Sequence, residues 1–261
     1  MSKIPFTKTN TMTGIHSDAE SAPQTKTAES AGRKIVIAID GPGASGKGTL
    51  AKMIAERLGY AYLDTGALYR AVGLATLEIN GDFESFEDVE PAVQIVLRHL
   101  TPELLANPAL RAPEITEAAS RVATLPDVRH QLTDIQRAFA KNPPGNVGGA
   151  VLDGRDIGTV ICPDADLKIF VTASAEERAR RSFEENKKRY PHLTLQTVLQ
   201  DMQKRDQRDS SRPVAPMVAA QGAYILDTTH LTPAEMLEEA IAALRSKFLE
   251  DTNKPQDSFT A

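Results

Sequence analysis

Cysteine is all but missing from this sequence, with Cys162 its single representative among 261 residues. An intrachain disulfide is thereby excluded, and with no metal-type Cys/His spacing around it Cys162 reads as a small, half-buried apolar side chain. Also lacking is any apolar run of about 18 residues, so no membrane-spanning helix and no membrane partner are expected. The histidines, His16, His99, His130, His192 and His230, are scattered and none follows a ligand spacing. No Ser, His or Cys arrangement suggests a covalent nucleophile. An excess of positive charge is absent too: the net charge of −5 argues against general affinity for nucleic acid but leaves a local anion site open. Internal repeats are not found.

Residues 1–33 are rich in Thr, Ser, Lys and Ala and lack the apolar segment of a secretory signal. They and residues 251–261 bury too little apolar surface to offset chain entropy, so both are expected to be disordered. The folded unit is expected over 34–250.

Within that unit, KIVIAIDGPGASGKGTLAKMIAER (34–57) runs from a buried strand through a glycine-rich turn into an amphipathic helix. The turn comprises Gly41, Pro42, Gly43, Ala44, Ser45, Gly46, Lys47, Gly48 and Thr49. Its small residues let several backbone N–H groups converge on one concavity, and the helix sets its positive end behind them. Lys47 adds a mobile charge. The pattern matches a Walker A phosphate loop in Gly41, Gly46 and Lys47. It departs at Gly48, where that motif has Ser or Thr, and the hydroxyl arrives one residue later at Thr49.

Further strands are expected at 61–63, 150–153, 167–172 and 223–227, alternating with helices, which indicates an α/β layer fold with a parallel sheet. A helix is expected from Thr65 to Asn80-Gly81. Residues 82–113, acidic and then broken by prolines, give only a weak helical signal around Val93 to Leu100. Thr124 is expected to cap a helix that has Pro126 in its first turn. Ser174 with Glu177 forms a capping-box signal for a helix through about Arg189, and another helix runs from Thr194 to Arg208 or Ser211.

Three more clusters stand out, the first two where strands meet helices, the place ligands collect in a parallel sheet. They are Asp64-Thr65-Gly66-Ala67-Leu68-Tyr69-Arg70, Asp153-Gly154-Arg155-Asp156 and Arg205-Asp206-Gln207-Arg208-Asp209-Ser210-Ser211-Arg212. Arg70 and Arg155 can each offer a guanidinium fork to a phosphate, and Asp156 can accept from an exocyclic amine. On a continuous helix Arg205, Arg208, Asp209 and Arg212 share one face. Each cluster alone also reads as ordinary surface ion pairing. Together they describe a cleft with one polyphosphate cradle and a second set of arginines, as two facing anionic substrates require.

The chain resembles the bacterial-type cytidylate kinases of the nucleoside monophosphate kinase family. The resemblance runs from Lys34 to about Leu249, on IAIDGPGASGKGT (37–49), LDTGALYR (63–70), PDVR (126–129), LDGRDIGT (152–159) and RDQRDSSR (205–212). It implies a P-loop NTPase-type three-layer fold with a five-stranded parallel sheet, a monophosphate-binding region at about 64–147 and a short lid at about 178–192. It implies ATP on Gly41 to Thr49, with Lys47, Arg155, Arg178 and Arg181 as catalytic residues. CMP or dCMP would lie with its phosphate on Arg70 and Arg155 and its cytosine among Ser120, Arg129 and Asp156. Thr65, Arg205, Asp209 and Arg212 would then lie near sugar and phosphates. Mg²⁺ would be held mainly through ATP oxygens and water, in a cytoplasmic monomer. Residues 82–113 are too short for the longer form of the small antiparallel sheet many family members insert, and the N-terminal extension lies outside the family pattern.

Overall fold

The computed structural model describes residues 33–252, so the expectations for 1–32 and 253–261 lie outside the described residues. Five strands, β1 (Ile35–Asp40), β2 (Ala61–Asp64), β3 (Gly149–Gly154), β4 (Leu167–Thr172) and β5 (Tyr224–Asp227), form one sheet in the order β2-β3-β1-β4-β5. Every pairing is parallel, with Ile37 opposite Val151 and Leu167. Strands buried on both faces need apolar residues without a polar alternation, which is how VIAI and AVL read. β4 has the expected bounds, β2 and β5 differ from theirs by one residue at one end, and β3 is longer by one residue at each end.

Side chains alternate across the sheet. Ile37, Ile39, Val151, Ile169 and Val171 face α1 (Lys47–Leu58) and α9 (Pro233–Thr252), meeting Leu50, Ile54, Met236 and Ala240. Ala38, Ala150 and Leu152 turn the other way, toward Ala140 of α6 (Pro126–Lys141) and toward Ile157 and Ile161. A third core joins α2 (Thr65–Glu78), α3 (Phe86–Arg98), α5 (Pro113–Val122) and α6 through Leu68, Val72, Val89, Val93, Val122 and Leu132.

Several expectations are corrected. α3 is a full helix from Phe86 although Pro91 lies inside it, because Val89, Ala92, Val93 and Val96 form a buried stripe whose packing overrides one lost hydrogen bond. α4 (Pro102–Ala106), a 3₁₀ turn (Pro108–Arg111), α5 and α6 each begin with proline at the first turn. Pro102, Pro108 and Pro113 therefore start helical segments where they were read as interruptions, while Pro126 opens α6 as expected. Thr124 is not the cap of α6: its Oγ1 donates to the Arg121 carbonyl at 2.7 Å, and Leu125 takes the cap position. α2 stops at Glu78, and α7 (Ala175–Asn186) stops three residues before Arg189. Ser174 caps α7, but Glu177 closes no box: its carboxylate takes Arg180 and Arg181 instead. α8 (Leu195–Ser211) takes the longer of its two expected lengths, and α9 runs to Thr252, past the boundary expected at 250.

Candidate active site

The phosphate loop leaves the C-terminal end of β1 at Gly41, whose φ is +143° and where a Cβ would lie 2.0 Å from the Val171 carbonyl oxygen. Only glycine fits that crossing against β4. α1 starts at Lys47 with neither a side-chain cap nor an acidic residue in its first turn. Its first amides are thus free for an anion, with the helix dipole behind them. The departure at Gly48 has a steric cause: a Cβ there would stand 3.0 Å from Asp153 Oδ2. The space behind the lysine belongs to a carboxylate.

Lys47 lies half-buried among charges of both signs. Burial first, then the Arg155 guanidinium, push its ammonium down to about 7, with Asp153 and Asp64 opposing. Asp153 is itself pushed up to about 6 by burial and by Asp64. Its Oδ2 accepts from the Tyr62 hydroxyl at 3.3 Å, and its backbone carbonyl accepts from Thr65 Oγ1 at 2.7 Å.

Opposite the loop stand guanidinium groups held by carboxylates. Arg70 donates to Asp64 Oδ2 at 2.6 Å, with Arg111 at 3.7 Å from the same oxygen. Burial raises the Asp64 carboxyl, but Arg70 and Lys47 outweigh burial and hold it below its ordinary value. Arg155 Nε donates to Asp209 Oδ2 at 3.1 Å, and Arg205 Nε stands 3.9 Å from that oxygen. Burial and the neighbouring Arg155 push Arg205 down to about 10. Arg205 NH1 and Arg155 NH2 come within 3.6 and 3.9 Å of where a Cβ on Gly43 would be, so both abut the phosphate loop. The buried Nε atoms of Arg70 and Arg205 have no hydrogen-bond acceptor among the described residues.

At the far end Arg129 donates to Asp156 Oδ2 at 2.5 Å, and Arg212 lies 3.7 Å from Asp156 Oδ1. The Arg129 guanidinium also stands 5.4 Å from the centre of the Tyr69 ring. Ser120 Oγ, on α5, donates to Asp209 Oδ1 at 3.3 Å and accepts from Arg208 at 3.0 Å.

One cleft of about 460 Å³ is lined by Thr65, Arg70, Ser120, Arg129, Arg155, Asp156, Arg205, Asp209 and Arg212, and by Gly43, Ala44, Gly46, Lys47, Gly48 and Thr49. The expected acceptor-side residues therefore share one space with the loop. Arg178 and Arg181 do not line it. Arg178 is buried, donating to Asp206 Oδ2 at 2.6 Å and to the carbonyls of Ala173 and Gly43. Arg181 donates to Glu177 and, at 2.6 Å, to the Thr228 carbonyl, while the Thr228 hydroxyl donates to the Ser45 carbonyl. Both arginines thus lie against the loop without lining the cleft. Arg208 does not line the cleft: it binds Glu117 of α5 through two contacts of 2.7 and 3.1 Å and donates to Ser120 Oγ at 3.0 Å.

Among the cleft residues that carried no assignment from sequence are Asp64, Asp153 and Arg111. A strand ending in a carboxylate was the available signal for the first two. Arg111 lies in the proline-rich stretch, where no spacing marked it. Among the described residues no group of three or more His, Cys, Asp or Glu side chains could hold a metal by itself. Asp64 and Asp153, both on the cleft wall, offer carboxylate oxygens of the kind a hydrated hard cation takes.

A family model described as cytidylate kinase matches residues 37–246. This chain belongs to the cytidylate kinase family. Among curated relatives, the cytidylate kinase of Paramagnetospirillum magneticum is 49% identical over 81% of this chain and 98% of its own. That of Azorhizobium caulinodans is 52% identical over 80% and 97%, and that of Rhodospirillum rubrum 48% over 82% and 98%. The cytidylate kinase family match thus spans the sheet, the phosphate loop and the whole cleft.

Proposed function

We propose that this protein transfers the γ-phosphoryl group of ATP to CMP or dCMP, giving ADP and CDP or dCDP. The observation that carries the reading is the single cleft with amides and Lys47 at one end, Asp156 at the other and unsatisfied guanidinium donors between. Gly41 to Thr49 bind the ATP phosphates. Arg70 and Arg155 grip the acceptor phosphate, Asp156, Arg129 and Ser120 surround the cytosine, and Thr65, Arg205, Asp209 and Arg212 hold sugar and phosphates. The acceptor oxygen is already ionised at neutral pH, so no general base is needed. As it bonds to the γ-phosphorus, the bond to the ADP oxygen breaks, and Lys47 and Arg155 offset the charge that spreads over the transferring group. Mg²⁺ on the ATP phosphates would supply further charge neutralisation, with Asp153 and Asp64 reaching its waters.

The chain divides on this reading into a core, a monophosphate-binding region over 64–147 and a lid over 178–192. Arg178 and Arg181 act from the donor side as that lid closes and excludes water. On this reading the protein works as a monomer. An ADP-release assay with Mg²⁺ over CMP, dCMP, UMP, AMP and GMP tests the proposal. The highest kcat/KM is expected for CMP or dCMP; turnover of AMP with none of either cytidine monophosphate would overturn it.

A further inference from the structure

Asp40 takes no part in the chemistry above, yet it is a buried carboxylate, 3% exposed, one residue before the phosphate loop begins. Its Oδ1 accepts from the Ile157 N–H at 2.8 Å and its Oδ2 from the Gly158 N–H at 2.7 Å. Those amides open the π-helical turn Ile157–Ile161, where no upstream carbonyl of the turn can reach them. The Asp156 carbonyl meanwhile accepts from Val160 and Ile161. Asp156 has no side-chain cap of its own to give the turn, so its carboxylate stays free to meet Arg129 and Arg212.

We infer that Asp40 is a positioning residue for cytosine selection: it clamps the 157–158 amides and so sets the place of Asp156 relative to the phosphate loop. Since Gly41 follows it directly, one residue ties the donor cradle to the turn that carries the base-reading carboxylate. Both of its oxygens must accept for this to work. Burial pushes the carboxyl up to about 6, which leaves it ionised at neutral pH. An amide at this position would point an NH₂ at a backbone N–H, lose one of the two bonds and let the turn shift. A displacement of well under a bond length at Asp156 would reach the substrate as misplacement of its base.

The inference rests on the assignment of Asp156 to the cytosine, so the test carries a control for that assignment. Asp40→Asn, Asp156→Ala and the unaltered protein are assayed for kcat and KM with CMP, UMP and ATP. Asp40→Asn is expected to raise KM for CMP roughly tenfold and to shrink the CMP:UMP ratio of kcat/KM at least about fivefold, with KM for ATP within about twofold. A folded Asp40→Asn that keeps the CMP values and the ratio, while Asp156→Ala lowers the ratio, overturns the role of Asp40 alone. Equal rises in KM for CMP and ATP overturn it also, as general loosening. An unchanged ratio in Asp156→Ala defeats the base assignment, and the role of Asp40 with it. Should Asp40→Asn fail to fold, amide exchange in the unaltered protein decides. The Ile157 and Gly158 amides are expected to exchange slowly, and more slowly still with CMP but not with ATP alone; exchange as fast as an exposed loop overturns the inference.

Discussion

Lys47 is placed where its charge depends on what fills the cleft. With its ammonium pushed down to about 7 by burial and Arg155, the lysine of the free protein loses its proton as pH rises through neutrality. A bound triphosphate favours the ammonium form, so binding above that pH must take up a proton. ATP affinity is therefore expected to be greatest below pH 7 and to weaken above it, by up to about tenfold per pH unit. Isothermal titration calorimetry of ATP across pH 6–9 checks this. Lys47→Met serves as the reference that cancels the protonation of ATP itself and should lack the added slope. An identical pH dependence in both proteins would remove Lys47 from the phosphates. The neighbouring Gly48 belongs to the same arrangement, because a serine there would press on Asp153, the carboxylate that faces the lysine.

Among the elements, α3 shows where sequence reading stopped. Strands such as Ile35–Asp40 and Leu167–Thr172 were legible because an uninterrupted apolar run between turn residues has few other uses. The phosphate loop and the clusters at 64–70 and 153–156 were legible because each follows a strand end, and the one at 205–212 because its charges recur at helical spacing. α3 was not, since Pro91 contradicts local propensity and the compensating burial comes from the surfaces of α2 and α6. Arg111 went unnoticed for the same reason: its place depends on how the 3₁₀ turn folds back over Asp64. The pairing of Arg208 with Glu117 was not legible either, because α5 could not be placed in space from sequence. Pro91 is exposed and costs α3 one backbone hydrogen bond, so Pro91→Ala is expected to stabilise the protein by about 1–3 kcal/mol. Urea unfolding checks it, and a loss of stability would mean that the proline fixes the entry of the helix.

For the molecule as a whole, the sheet core and the helical core of α2, α3, α5 and α6 meet along the cleft, where charged groups replace apolar contacts. A ligand that spans the cleft should stabilise both. CMP at about a hundred times its dissociation constant is expected to raise Tm by roughly 5–10 °C. Cytidine at the same concentration should leave Tm nearly unchanged, because the guanidinium groups have nothing to grip; differential scanning calorimetry distinguishes the two, and equal shifts would shift the recognition to the base. That expectation follows from the resting partners of those groups. Arg70 and Arg111 already share Asp64, and Arg155 and Arg205 already share Asp209. An arriving phosphate does not meet bare cations; it displaces tethered monoanions. A dianion gains from that exchange, whereas chloride or acetate, singly charged and untethered, does not. The cleft thereby screens its visitors by valence before any base is read.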